Sequence, residues 1–132
     1  MPKGDIVIVF DCGATNVRVI AINCRGSIIA SESLPNNTKP DPFFPSYRIW
    51  DVNEIWQKMC QASKKIISQI NKKNIIGITV TTLGVHGTLF DKSGKMLYPV
   101  ISWQCERTAP IMSNIGKYIP LPDLYKECGV LP

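Results

Sequence analysis

The chain of 132 residues has one histidine, His86, and five cysteines at 12, 24, 60, 105 and 128 with no CxxC pair among them. An odd, scattered cysteine set and a lone histidine exclude a readable zinc site and a disulfide framework, and reduced thiols point to the cytoplasm. No apolar run approaches the roughly 18 residues a membrane span needs. The N-terminal run Ile6 to Phe10 is too short for a signal core and meets Asp11 at once. Secretion and membrane insertion are therefore not expected. Acidic residues are fewer than basic ones, 10 against 15, for a net charge of +5. That excess invites an anionic partner. Lys64, Lys65, Lys72 and Lys73, however, read as the solvated end of a helix rather than a nucleic-acid stripe. No repeat or low-complexity segment is present, and 45% hydrophobic residues are enough for one folded domain.

Three runs rich in Ile and Val open the chain: Asp5 to Phe10, Val17 to Asn23 and Ser27 to Leu34. The links between them, Gly13 to Asn16 and Asn23 to Gly26, are too short for a crossover helix and predict an antiparallel meander. Pro35 to Pro45 holds four of the ten prolines and reads as a surface loop, anchored by Phe43, Phe44, Tyr47 and Trp50 or packed against a neighbouring domain. Asp51 and Glu54 then predict a capped helix whose stripe runs through Val52, Ile55, Trp56, Met59, Ser63, Ile66, Ile67 and Ile70. The β-branched run Ile75 to Thr82 has no polar alternation and predicts a central strand covered on both faces, with its C-terminal end at a ligand edge. A hairpin of Gly87 to Phe90 and Met96 to Ile101, and short helices over Ala109 to Lys117 and Asp123 to Glu127, complete the reading.

Three segments carry chemistry. In Asp11-Cys12-Gly13-Ala14-Thr15-Asn16, followed by Arg18, an acid leaves a buried strand into a glycine turn. Such a turn lets backbone N–H groups reach phosphate oxygens, with Asp11 holding a magnesium ion through its waters; a purely structural hairpin accounts for the pattern equally well. A strand follows the glycine, which excludes the Walker and dinucleotide loops. In Thr81 to Gly87, two glycines bracket His86 at the strand end, where its ring can bond a sugar hydroxyl or satisfy a backbone carbonyl. In Ser102 to Thr108, Trp103 and Arg107 suit a polyol, an apolar ring face beside hydroxyl-binding donors, or form a core Trp with an Arg closed over it.

Together, Asp11 to Arg18, Ile78 to Gly87 and Tyr98 to Thr108 resemble, in order, the opening motifs of the FGGY sugar kinases. The resemblance implies an α/β ribonuclease-H-like (actin-like ATPase) domain, incomplete in these residues, whose mixed sheet opens with the three-strand antiparallel meander. It implies ATP-dependent phosphorylation of a ketose hydroxyl, L-fuculose in the first place. ATP and Mg²⁺ would be met by Asp11, Gly13, Thr15, Asn16 and Arg18, with Asp11 on the metal through water. The sugar would be met by His86, Gly87, Trp103 and Arg107. Members of the family are several times longer, so residues 1–132 correspond to the first part of the N-terminal, sugar-binding domain, and the catalytic Asp base and the ATP-binding domain are expected outside them. Little activity is expected of these residues alone, because phosphoryl transfer needs ATP, metal and acceptor held together in a closed cleft. The small molecules ATP and a ketose are the expected partners, with no nucleic acid and no membrane. Association through an uncovered face would suit a non-catalytic subunit completed by another chain. A ribonuclease-H-like nuclease shares the early sheet, but only Asp11 is placed for its two-metal chemistry.

Overall fold

The computed structural model describes residues 4–129. Strands β1 (Ile6–Cys12), β2 (Asn16–Asn23) and β3 (Ile28–Pro35) form the expected antiparallel meander. The β2–β3 turn is set locally, since Asn23 Oδ1 accepts from the amides of Arg25 and Ser27 and Gly26 takes φ +78°. That positive φ is what a glycine at this turn supplies without strain.

Helix α1 (Val52–Gln69) starts where Asp51 accepts from the amides of Asn53 and Glu54, both at 3.1 Å. It lies on β2 and β3 and buries Met59, Ala62 and Ile66. Ala62 and Ile66 join Ile6, Ile8, Val19, Ala21 and Ala30 in the main core, while Met59 meets Cys12 and Val17 beneath the β1–β2 turn. The buried stripe is narrower than its apolar spacing predicts. Trp56 is 63% exposed and Val52 is also exposed.

Strand β6 (Ile75–Thr82) follows a short 3₁₀ turn at Lys72–Asn74 and pairs parallel to β1, giving a four-stranded mixed sheet in the order β3-β2-β1-β6. Here the expectation of a central strand covered on both faces is corrected. Strand β6 is an edge strand, and Ile76, Ile78 and Val80 stand exposed. The β-branched run calls for cover, but α1 lies over β2 and β3, and among the described residues β6 packs extensively against β1 alone.

The proline-rich segment is more ordered than a loop. Lys39–Pro40 (β4) and Arg48–Trp50 (β5) pair antiparallel, and β5 pairs in turn with Val100–Ile101 (β7). Ile49 and Trp50 on β5 are buried, whereas Phe43 and Phe44 remain over half exposed. Residues 87–101 form a loose arm with isolated bridges Gly87 to Ile101 and Phe90 to Met96. The C-terminal part holds α2 (Ala109–Met112), 3₁₀ turns at Glu106–Thr108 and Ile115–Lys117, and α3 (Leu121–Cys128), which Gly129 ends in the left-handed region at φ +72°. No helix among the described residues is long and apolar enough to cross a membrane.

Candidate functional site

Parallel pairing puts the C-terminal ends of β1 and β6 side by side, with Asp11 opposite Thr81 and Cys12 opposite Thr82. Two of the three sequence segments therefore leave the sheet at one edge, the usual place for a ligand in sheets of this kind.

At the β1–β2 hairpin the Gly13 amide donates to the Asn16 carbonyl at 2.8 Å. A Cβ on Gly13 would stand 2.8 Å from that same carbonyl oxygen, so only glycine closes the turn. Asn36, 3% exposed at the end of β3, holds the hairpin from behind. Its amide donates to Thr15 O at 2.8 Å and its side-chain Nδ2 to Gly13 O at 2.9 Å. The amides of Ala14 and Thr15 have no acceptor among the described residues. Thr15 and Asn16 are exposed. Arg18 Nε and Nη2 both reach Asp11 Oδ2, at 2.8 and 2.5 Å. Burial, then the Asp11 charge, push the neighbouring Cys12 thiol up, so it stays protonated.

This hairpin fits a magnesium nucleotide. Asp11 Oδ1 is bonded to no described residue, and Mg²⁺ characteristically takes one or two carboxylates, several waters and phosphate oxygens. Asp11 would hold the ion, and the free tip amides with the Thr15 hydroxyl would meet phosphate oxygens.

From Thr82 the chain turns through Gly84, Val85 and His86. Val85 sits at φ +61°, a strained conformation for a β-branched residue, and is 90% exposed. Beyond it opens a cavity of about 660 Å³ lined by Val85, Gly87, Leu89, Tyr98, Trp103 and Arg107 among others. A volume of this order suits a small ligand. The structure thus brings Gly87 of the second segment together with Trp103 and Arg107 of the third. Trp103 presents an indole that is 60% exposed, and a Cβ on Gly87 would meet nothing within 4 Å.

His86 is not in the lining. Its Nδ1 accepts from the buried Trp50 Nε1 at 3.1 Å and from the Trp103 amide at 3.3 Å. Nδ1 also lies 3.3 Å from the Ile101 carbonyl oxygen, while Nε2 is buried and unpartnered among the described residues. The histidine therefore ties β5 to the chain that carries Trp103.

Behind the cavity lies a charge cluster that residue spacing did not disclose. Asp41, 1% exposed, accepts from the Phe43 and Phe44 amides at 2.8 and 3.2 Å through Oδ1, and from the Tyr98 hydroxyl and Arg107 Nη2, the latter at 3.0 Å, through Oδ2. Burial raises the Asp41 carboxyl, but these four donors outweigh it and hold it at about 2. The Arg107 guanidinium lies 4.6 Å from the Tyr47 ring centre and 5.5 Å from that of Tyr98, and its Nε reaches Cys105 Sγ at 3.1 Å. Burial raises the Cys105 thiol, and the Arg107 side chain, the Arg48 and Arg107 amides and the Arg107 charge together more than offset it, leaving a net lowering. The one sequence signal for Asp41 was an acid amid prolines and aromatics. Its side-chain partners lie 57 and 66 residues away.

Residues 6–131 match the FGGY family of carbohydrate kinases, N-terminal domain. The chain is 46% identical over 130 residues to the L-fuculokinase of Haemophilus influenzae, covering 95% of this chain and 28% of that protein. It is 42% identical over 128 residues to the L-fuculokinase of Escherichia coli K12, covering 97% and 27%. The chain thus spans just over a quarter of the length of these relatives. Among solved structures, a gluconate kinase from Lactobacillus acidophilus superposes at TM-score 0.76 with 16% identity, over 92% of this chain and 24% of that one. A xylulose kinase from Rhodospirillum rubrum superposes at 0.74 with 20% identity, over 91% and 25%. These structures share its fold, the actin-like, ribonuclease-H-like α/β arrangement with a mixed sheet. By sequence profile, by identity and by fold, the chain belongs to the FGGY family of carbohydrate kinases.

Proposed function

We propose that this chain supplies the sugar-facing wall and the phosphate-side hairpin of an ATP-dependent ketose kinase acting on L-fuculose to give L-fuculose 1-phosphate. The observation that carries the reading is the meeting of Gly87, Trp103 and Arg107, from two separate motifs, on one cavity that follows the strand edge bearing Asp11. The similarity to L-fuculokinases at 42–46% identity supports the choice of sugar. So does the cavity chemistry, because Val85, Leu89 and Ile101 offer an apolar wall to the methyl group of a 6-deoxy sugar. The five thiols are all unpaired, which suits a reducing compartment.

In this reading Trp103 covers the apolar face of the ketose and Arg107, at the cavity wall, donates to a hydroxyl. Gly87 leaves room for the sugar by having no side chain. His86 acts one layer back, fixing the Trp103 backbone. At the hairpin Asp11 would hold the metal through water, Arg18 orients the Asp11 carboxylate, and Gly13, Thr15 and Asn16 form the phosphate-side turn. Magnesium ATP, when bound, supplies the γ-phosphoryl group and the charge neutralisation for its transfer. The sugar O1 gains that group and loses its proton to a base lying outside these residues, and ADP leaves.

The test is a coupled ADP-release assay with L-fuculose, L-rhamnulose and D-xylulose. Residues 1–132 alone are expected to release no ADP above an Asp11→Ala control. Exchanged for the matching segment of the Haemophilus influenzae L-fuculokinase, they are expected to support turnover with L-fuculose preferred. A chimaera that folds and prefers D-xylulose, or turns over none of the three, contradicts the reading.

A further inference from the structure

Asp41 has no part in the chemistry above, yet it is the most completely bonded charged side chain among the described residues and lies directly behind the cavity wall. Its two oxygens divide their work. Oδ1 is pinned to the backbone of its own turn by the Phe43 and Phe44 amides, and that fixes the direction of Oδ2, which holds the Tyr98 hydroxyl and Arg107 Nη2. Tyr98 and Arg107 are both cavity residues. Arg107 has no other carboxylate partner among the described residues. Without Asp41 its guanidinium would keep only the Cys105 thiol and two aromatic rings.

We infer that Asp41 is a positioning residue for the ketose: anchored by its own turn, it sets the orientation of Arg107 and Tyr98 toward the cavity, and it governs sugar affinity through Arg107. Desolvating an ion pair is costly, and an apolar pair of the same volume would stabilise the fold at least as well. What an apolar pair could not provide is a charged donor held in one orientation at the wall of a binding site. The β4–β5 hairpin, which looks like a spacer, is on this account part of the binding apparatus, since it carries the Asp41 turn and the Tyr47 ring beneath Arg107.

The inference rests on the reading of the cavity as the ketose site, and a thermodynamic cycle separates the two. L-fuculose affinity is measured by calorimetry for the wild-type chain and for Asp41→Asn, Arg107→Gln, the double variant and Trp103→Ala, each checked for folding by circular dichroism. Asp41→Asn is expected to weaken binding at least about tenfold, the scale of one charge-assisted hydrogen bond, and to have no further effect in the Arg107→Gln background. Equal weakening in both backgrounds means a general structural role and overturns the inference. Unchanged affinity in Asp41→Asn, with binding abolished in Trp103→Ala, overturns it while sparing the ketose site. Absence of binding by the wild-type chain overturns the site reading and the inference with it. Should Asp41→Asn fail to fold, Asp41→Glu keeps the charge but displaces it by a methylene, and unaltered affinity in that variant overturns the inference.

Discussion

Arg18 closes on Asp11 with two of its nitrogens on the same carboxylate oxygen, at 2.8 and 2.5 Å, and leaves the other oxygen without a partner among the described residues. The arginine side chain is half exposed, so this pair contributes no more than about 1 kcal/mol to folding. Its consequence is orientation. In the chimaera with the rest of the Haemophilus influenzae L-fuculokinase, Asp11→Ala is therefore expected to leave the urea midpoint almost unchanged while abolishing magnesium-dependent nucleotide binding, followed with a fluorescent ATP analogue. Nucleotide affinity equal to wild type would show that the hairpin is only structural.

Gly13 and Gly87 are both glycines of site motifs, and the structure separates their roles. Gly13→Ala sets a methyl group 2.8 Å from the Asn16 carbonyl and is expected to cost about 1–3 kcal/mol in chemical denaturation, the scale of an overpacked site. Gly87→Ala meets nothing within 4 Å and is expected to change stability by less than about 0.5 kcal/mol. It should instead weaken ketose binding. Equal stability losses at both positions would remove the distinction.

His86 offers Nδ1 to two donors, Trp50 Nε1 and the Trp103 amide. His86→Asn puts an acceptor oxygen near the place of Nδ1 and is expected to keep most of the stability. His86→Leu strands two donors and is expected to cost about 1–3 kcal/mol, read from tryptophan emission during denaturation. The reverse order would mean that the ring acts through its volume.

Much of this was legible in the chain and some was not, for physical reasons. Strands β1 to β3 and α1 announce themselves because Asn23, Gly26 and Asp51 set their turns and cap through bonds within four residues. The covering of β6 is a tertiary property. Its β-branched run is the same whether a neighbour covers it or not, so its edge position could not be read. Strands β4 and β5 have two and three residues, too few to show a period. Gly87, Trp103 and Arg107 were separable as site residues by type, but the layer behind them, Asp41 and Tyr98, exists only once distant segments meet.

Acid should weaken the fold through two carboxyls. Burial raises Asp41 but its four donors hold it at about 2, and Glu54 is held at about 2 by Lys39 first and then Lys58. Both folded values lie below the ordinary carboxylate range, so the stabilisation is fully present above that range and is lost as pH falls through it toward 2. The urea midpoint is expected to be flat near neutrality and to drop below about pH 4. In Asp41→Asn the drop should be shallower, and an unchanged slope would contradict the assignment.

The central claim is that the cavity beneath Trp103 receives the ketose. It is tested most directly by titrating the ¹⁵N-labelled chain with L-fuculose and following amide and indole resonances. Saturable shifts gathered at Gly87, Leu89, Trp103 and Arg107, with the Gly13 to Asn16 hairpin unmoved, are the predicted result. Shifts that fail to saturate, or that gather away from the cavity, would contradict it.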